Sequence, residues 1–237
     1  MMLCRIADLI VDVPASGGLP SRCEEYRCTD AIDVDIIIDA NDFQPQKYGD
    51  NPNEELVAYM EAARLTYLEL LRFNGLYLHA SAVAYGGRAY LFSGPCGMGK
   101  STHTRLWQST FGDEVKIFND DKPALRRLED RWYAYGTPWC GKDHININMK
   151  VPLAGICFLK QAEENKIRRL DSMEALQKIL PQTLYRLKLE SNMNLLLSHV
   201  DKLIREIPIF ELENRPESAA AELSYETMRK AAEEAGL

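Results

Sequence analysis

The chain has 237 residues, 46% of them hydrophobic and 27% charged, with 28 Lys and Arg against 35 Asp and Glu for a net charge of −7. That length and mixture describe a globular chain of one large domain, or a core with a small appendage, able to bury its own core without staples. The acidic balance argues against a general nucleic-acid or anionic-membrane surface, and no run of about 18 apolar residues offers a spanning helix. Residues 1–18 carry one basic residue and have acidic residues inside the apolar stretch, which does not read as a secretory signal.

Residues 1–50 read as a β-rich segment. Its clearest strand is Ile32–Asp39, where Ile32, Val34, Ile36 and Ile38 alternate with Asp33, Asp35 and Asp39 on a solvated face. The remainder, 51–237, reads as one nucleotide-binding domain. It begins with a helix expected to be capped at Asn51, with Pro52 in its first position and Glu54 completing a capping box. Leu56, Met60, Ala63, Tyr67, Leu70 and Leu71 form its core stripe, and Gly75 stops it.

Two β runs follow, Leu76–Tyr85 and Arg88–Phe92, joined by Gly86-Gly87, a hairpin signal because both positions tolerate positive φ. The second run enters a glycine-rich loop and a helix from about Lys100 to Thr110. Then come strands at Val115–Asn119, Ala124–Leu128, Trp132–Tyr135 and Leu153–Leu159. Helices are expected near 172–180, where Asp171 and Glu174 form a capping pattern, at Asn192–Ile207 and at Pro216–Ala235. The fold class is therefore α/β. The six cysteines, Cys4, Cys23, Cys28, Cys96, Cys140 and Cys157, contain no CxxC pair and lie in no zinc-like spacing with the four histidines. They read as reduced thiols of a cytoplasmic protein.

The loop Gly94-Pro95-Cys96-Gly97-Met98-Gly99-Lys100-Ser101 matches G-x-x-x-x-G-K-[ST] at every fixed position, between a strand and a helix. Glycines let backbone N–H groups turn around phosphates, and the helix start adds its positive dipole end. Lys100 is placed to reach the β- and γ-phosphates, the Ser101 hydroxyl to ligand Mg²⁺, and Thr102 continues the nucleotide-binding set. The thiol of Cys96, if exposed, sits among those N–H groups close to Lys100.

The strand at Val115–Asn119 runs out into Asp120-Asp121, as phosphate-loop proteins bring a carboxylate to the metal. Two adjacent carboxylates can divide the labour between the metal and a substrate hydroxyl. His79 has two readings: a hydrogen-bonded core residue, or a group brought near the γ-phosphate because the hairpin folds its strand beside the loop-bearing one. In the loop Gly136–His144, Lys142 is a candidate phosphate contact.

Taken together, His79, Gly94–Ser101 and Asp120-Asp121 resemble the catalytic domain of the bacterial HPr kinase/phosphorylase family over roughly residues 76 to 125. Tyr135–Lys142 and Leu153–Lys160 are similar to the looser group of HPr-kinase-related proteins. The resemblance implies a phosphoenolpyruvate carboxykinase-like fold whose mixed sheet carries the phosphate loop. It implies ATP and Mg²⁺ as cofactors, Lys100 on the β/γ-phosphates and Ser101 on the metal. Asp120 would take the proton from an acceptor hydroxyl, with support from His79, and Asp121 would contact the metal shell. Cys96 departs from the small polar residue common there. The segment by which that family engages its phosphocarrier protein has no counterpart, and residues 1–50 are unlike its N-terminal domain. The function expected is a kinase transferring the γ-phosphoryl of ATP to a hydroxyl of a protein, peptide or small molecule. A nucleotide-dependent switch and carboxykinase chemistry are the alternatives.

Overall fold

The computed structural model describes residues 2–29, 33–141, 143–184 and 189–237. The chain begins with β1 (Met2–Ile6), β2 (Leu9–Val13), α1 (Leu19–Arg22), β3 (Ile36–Ile37) and α2 (Glu54–Leu70). Next come β4 (Gly75–Tyr77), β5 (Ala80–Tyr85), β6 (Arg88–Ser93), α3 (Lys100–Phe111), β7 (Lys116–Asp121), β8 (Ala124–Leu128) and β9 (Arg131–Tyr135). The last third holds β10 (Lys150–Gln161), β11 (Lys166–Arg169), α4 (Ser172–Ile179), α5 (Glu190–Glu206), β12 (Ile209–Asn214) and α6 (Ser218–Glu234).

Among the described residues nine strands form one mixed sheet, in the order β4-β8-β9-β10-β6-β5-β7, with β12 pairing β10 and β11 pairing β12. The twelve-residue β10 joins its two halves: it runs antiparallel to β9 at its start, then parallel to β6 and β12. Helices cover both faces, so strand side chains alternate between two cores. Along β6, Ala89 and Leu91 face the core that receives Leu196, Val200 and Leu203 of α5, while Tyr90 and Phe92 face Trp107 of α3 and Met228 of α6. Burial on both faces is what such near-continuous apolar strands require.

Strands β1–β3 make a separate three-stranded sheet. Cys4, Val11 and Tyr26 pack there in one cluster with Ala62 and Tyr67 of α2 and with Trp139. Cys4, Cys23, Cys96, Cys140 and Cys157 are free thiols, and no described helix is long and apolar enough to cross a membrane.

Several local expectations shift. The strand expected over Ile32–Asp39 is reduced to Ile36–Ile37, and Ile32 lies outside the described residues. Ile36 and Ile38 are buried as the alternation requires, but Val34 is 41% exposed. The intervening acids are not merely solvated: Asp35 accepts from the Ile10 N–H at 2.7 Å, and Asp39 from the Asn41 N–H at 2.8 Å. The Asp39 side chain bonds backbone two residues on, a local alternative to the ladder, whereas Asp35 binds across to β2.

The cap of α2 is Asn53, whose side chain accepts from the Leu56 N–H at 2.9 Å, rather than Asn51, so Pro52 lies before the cap and Glu54 opens the helix instead of completing a capping box; Leu56, expected in the core stripe, is 50% exposed. At the far end Asn74, with φ 54°, takes the left-handed position expected of Gly75. Gly75 instead opens β4, where a Cβ would meet Leu70 Cγ at 2.7 Å and Arg126 Cγ at 2.8 Å. Close packing, not capping, requires glycine there.

The expected run Leu76–Tyr85 is two strands. It breaks at Leu78-His79, where the His79 N–H leaves the sheet to bond Gln182 O at 2.8 Å. The other elements match closely, including the capping box of α4, built by Asp171 and Glu174.

Candidate functional site

The hairpin β5–β6 turns through Gly86 and Gly87, both at positive φ (57° and 74°), a two-residue connection suited to the right-handed twist of paired strands. The other edge of β5 pairs antiparallel with β7, so β6 and β7 flank it and end at the same side of the sheet. Ala80 faces Ser93 on one side and Asp121 on the other. That register brings His79, the start of the glycine loop and the two aspartates to one place.

Between β6 and α3 the loop needs its glycines. Gly94, Gly97 and Gly99 have φ of 147°, 81° and 94°, where L side chains are strained. A Cβ at Gly97 or Gly99 would meet nothing within 4 Å, so backbone conformation alone selects glycine there. No side chain caps α3, leaving the first-turn N–H groups near Lys100, Ser101 and Thr102 without helical acceptors. Lys100 Nζ donates to Gly94 O at 2.9 Å and Pro95 O at 3.2 Å. Partial burial draws its ammonium below the ordinary value, with Asp121, Cys96 and Asp120 acting the other way.

The two carboxylates have different partners. Ser101 Oγ donates to Asp120 Oδ1 at 3.0 Å. Asp121 Oδ1 lies 3.2 Å from His79 Nε2, and its other oxygen pairs with Lys122 Nζ. His79 Nδ1 is 3.0 Å from Gln182 Oε1, so each ring nitrogen meets an oxygen and the imidazole is oriented from both sides. Burial by itself would raise the Asp121 carboxyl; the His79 hydrogen bond and the Lys122 ammonium outweigh it and hold the group below the usual carboxylate value.

A buried polar network supports this turn. Asn119 accepts from the Lys122 N–H at 2.9 Å and donates to Thr137 O at 3.0 Å, while the Tyr67 hydroxyl bonds both Lys122 O and Thr137 Oγ1. The Tyr59 hydroxyl donates to Cys140 O, and the Gly141 N–H donates to Asp120 O. Asp121 has φ 133°, strained for a non-glycine residue and held by these contacts.

His79, Cys96, Lys100, Ser101, Asp120 and Asp121 line one open cleft of about 400 Å³, and Thr102 and Gly141 border it. Cys96 is exposed. Met98 points instead to a neighbouring cleft beyond the loop. Lys142 lies outside the described residues; its neighbours Gly141 and Asp143 reach the cleft, and Asp143 pairs with Arg105 at 2.5 Å.

Sequence reasoning missed Gln182, Lys122, Asn119 and Thr137. Lys122 carried a local signal as the cation next to two aspartates. Gln182 carried none, being 103 residues from the histidine it orients.

No group of three His, Cys, Asp or Glu among the described residues is arranged to hold a metal. What the cleft offers is a hydroxyl and a carboxylate, Ser101 and Asp120, side by side. That donor set fits a hard cation that keeps most of its ligands as water and phosphate oxygen, as Mg²⁺ does, and does not fit an all-protein metal cage.

The molecule is thus an α/β protein with a mixed sheet and a glycine-loop cleft. A family model, SynChlorMet cassette protein ScmC, matches residues 46–215, nearly three quarters of the chain and every cleft residue named above. The chain belongs to the ScmC family. A search of curated proteins gives no match. Among solved structures the chain is similar to the Hpr(Ser) kinase/phosphatase from Coxiella burnetii, at 13% identity and a TM-score of 0.36, covering 65% of this chain and 88% of that one. An overlap that loose carries no argument about function.

Proposed function

We propose that the chain is an ATP-dependent kinase that passes the γ-phosphoryl group to a hydroxyl of a protein, peptide or small molecule, in a cytoplasmic setting. One observation carries this reading: the glycine loop, the Ser101–Asp120 pair and the His79–Asp121 pair converge on a single cleft. Loop N–H groups and Lys100 hold the phosphates, and Thr102 extends that set. Lys142, if its loop reaches the same phosphates, adds a second cation. Bound Mg²⁺, held by Ser101 and a carboxylate, supplies charge neutralisation on the phosphate oxygens.

The hydrogen-bond pairing supports a division of labour opposite to the one expected from sequence. Asp120, bonded to the metal-binding hydroxyl, belongs on the metal side. Asp121, oriented by His79 and Lys122, is the group that accepts the acceptor's proton. The acceptor oxygen bonds to the γ-phosphorus as the bond to the bridging oxygen breaks, and ADP leaves. A carboxylate held below its usual pKa is a weak base. Phosphoryl transfer, with its loose transition state, asks more of positioning than of base strength.

The test is incubation with γ-labelled ATP, Mg²⁺ and lysate fractions, following the label. A phosphorylated hydroxyl that forms with the wild type and not with Lys100→Ala supports the kinase. Label released only as inorganic phosphate, with ATP bound normally, rejects it in favour of a nucleotide-dependent switch.

A further inference from the structure

Another cleft, of about 500 Å³, opens where residues 1–50 meet α2. Ser21 and Arg22 of α1 line one wall, Leu56 and Tyr59 of α2 another, and His144 completes it. The Gly136–His144 loop partitions this cleft from the one at the phosphate loop: Gly141 and Asp143 border the latter, His144 the former. Tyr59 joins the two more directly. Its hydroxyl donates to Cys140 O of that loop, and Lys122, the partner of Asp121, has its Nζ 5.3 Å from the ring centroid. The Arg22 guanidinium lies over the same ring, with Cζ 4.4 Å from the centroid. A group held at Arg22 is thus one tyrosine away from the Lys122–Asp121 pair.

Arg22 is half-buried and lacks a counter-ion. Its contacts are the Tyr59 ring and His144 Nδ1 at 3.5 Å, and among the described residues no carboxylate pairs with it. Glu55 lines the same cleft but lies against Gly18, where a Cβ would meet Glu55 Cδ at 3.6 Å. A guanidinium held over an aromatic face is pre-positioned, and its fork of N–H donors suits a planar carboxylate. One cation beside Glu55 matches a single negative charge better than a doubly charged phosphate. Leu56 is the second signal: a large apolar side chain on the same wall, 50% exposed. Apolar surface beside an uncompensated cation suits an extended chain with an acidic side chain, whose backbone N–H can meet Glu55. On a chain of net charge −7, such a cation selects at short range and does not steer from afar.

We propose that this cleft binds the phosphoryl acceptor, and that the acceptor is a peptide segment with an acidic side chain a few positions from its hydroxyl residue. The acidic side chain pairs with Arg22, and the hydroxyl reaches Asp121. This rests on the kinase reading and deepens it by choosing the acceptor's class. It also gives residues 1–50 a role, since they supply Arg22, whereas no described residue of that segment lines the phosphate-loop cleft.

The experiment gives the full chain Mg²⁺, γ-labelled ATP and degenerate peptide pools in which serine, threonine or tyrosine is the single hydroxyl residue. Glu, Gln or Lys is fixed at one position within about four of it, because an extended peptide advances about 3.3 Å per residue. At one such position the Glu pool should be labelled about tenfold more than the Gln pool. Arg22→Gln should bring the Glu pool down to the Gln pool, with ATP affinity unchanged by calorimetry. Arg22→Glu should move the preference to the Lys pool, which a merely structural arginine would not do. Equal labelling of Glu and Gln pools by the wild type, or a Glu preference that survives Arg22→Gln, overturns the inference. Label that enters a lysate fraction but no peptide pool overturns it as well and leaves the kinase standing. Label in neither removes the kinase reading and this inference with it.

Discussion

The Ser101 hydroxyl donates to Asp120 across 3.0 Å, tying the first turn of α3 to the end of β7, while the neighbouring Asp121 turns to His79 at 3.2 Å. Adjacent residues on a strand project to opposite sides, so two consecutive carboxylates serve two different partners. That split makes their roles separable by mutation. Asp121→Asn should lower phosphoryl transfer by about 10²–10⁴-fold with little change in ATP affinity. Asp120→Asn should mainly raise the Mg²⁺ concentration needed. Paired measurements of ATP affinity and product formation across a Mg²⁺ series decide it, and the reverse pattern restores the assignment made from sequence.

In the proposed kinase His79, 3.2 Å from Asp121, would act through that carboxylate as a positioning residue. His79→Ala should reduce transfer and leave ATP binding unchanged, and it should also alter the pH profile of transfer, because the carboxylate loses its oriented partner. Lost nucleotide affinity in this variant would mean that the imidazole contacts the phosphates instead.

Lys100 rests on the carbonyls of Gly94 and Pro95, contacts that the proposed triphosphate would replace. Hydrogen bonds to charged groups contribute about 1.5–3 kcal/mol, so Lys100→Ala should weaken ATP binding roughly 10- to 100-fold without loss of fold. Calorimetry beside a thermal melt checks both halves; equal affinity in mutant and wild type removes the phosphate-loop assignment.

Cys96 is exposed at the tip of the loop and lines the cleft. An alkyl group on its sulfur would occupy space that the proposed nucleotide needs for its phosphates. Alkylation should abolish ATP binding, and ATP should protect the thiol. Mass-spectrometric mapping shows whether Cys96 is the residue modified, and modification there with binding intact contradicts the placement of the phosphates.

Gly136 tests the loop that backs Asp120. A Cβ there would fall 1.8 Å from Ile147 O and 2.7 Å from Phe118 O, so even alanine forces two backbone segments apart. Gly136→Ala should cost about 3 kcal/mol or more, lowering Tm by roughly 6–12 °C for a chain of this size. A melt within 2 °C of the wild type, about half a kcal/mol on the same scale, would show that the segment relaxes freely.

Local chemistry alone determined much of this protein. The Gly94–Ser101 loop between strand and helix, the Gly86-Gly87 hairpin and the α4 capping box from Asp171 and Glu174 depend on residues a few positions apart. Backbone φ preferences and short-range hydrogen bonds decide such features. Where neighbours compete, the reading slipped: Asn53 displaced Asn51 as the cap, and Asp39 bonded the Asn41 N–H just past the short strand Ile36–Ile37. Only the tertiary structure decided the partners of the site. That β7 lies along β5 is a matter of strand order, which no local pattern encodes, and it alone puts His79 beside Asp121. The same holds for Gln182 on the far side of the imidazole and for Ser224, which brings α6 against His103 of α3. Each of these contacts joins residues 42 to 121 positions apart and is fixed by packing around the sheet.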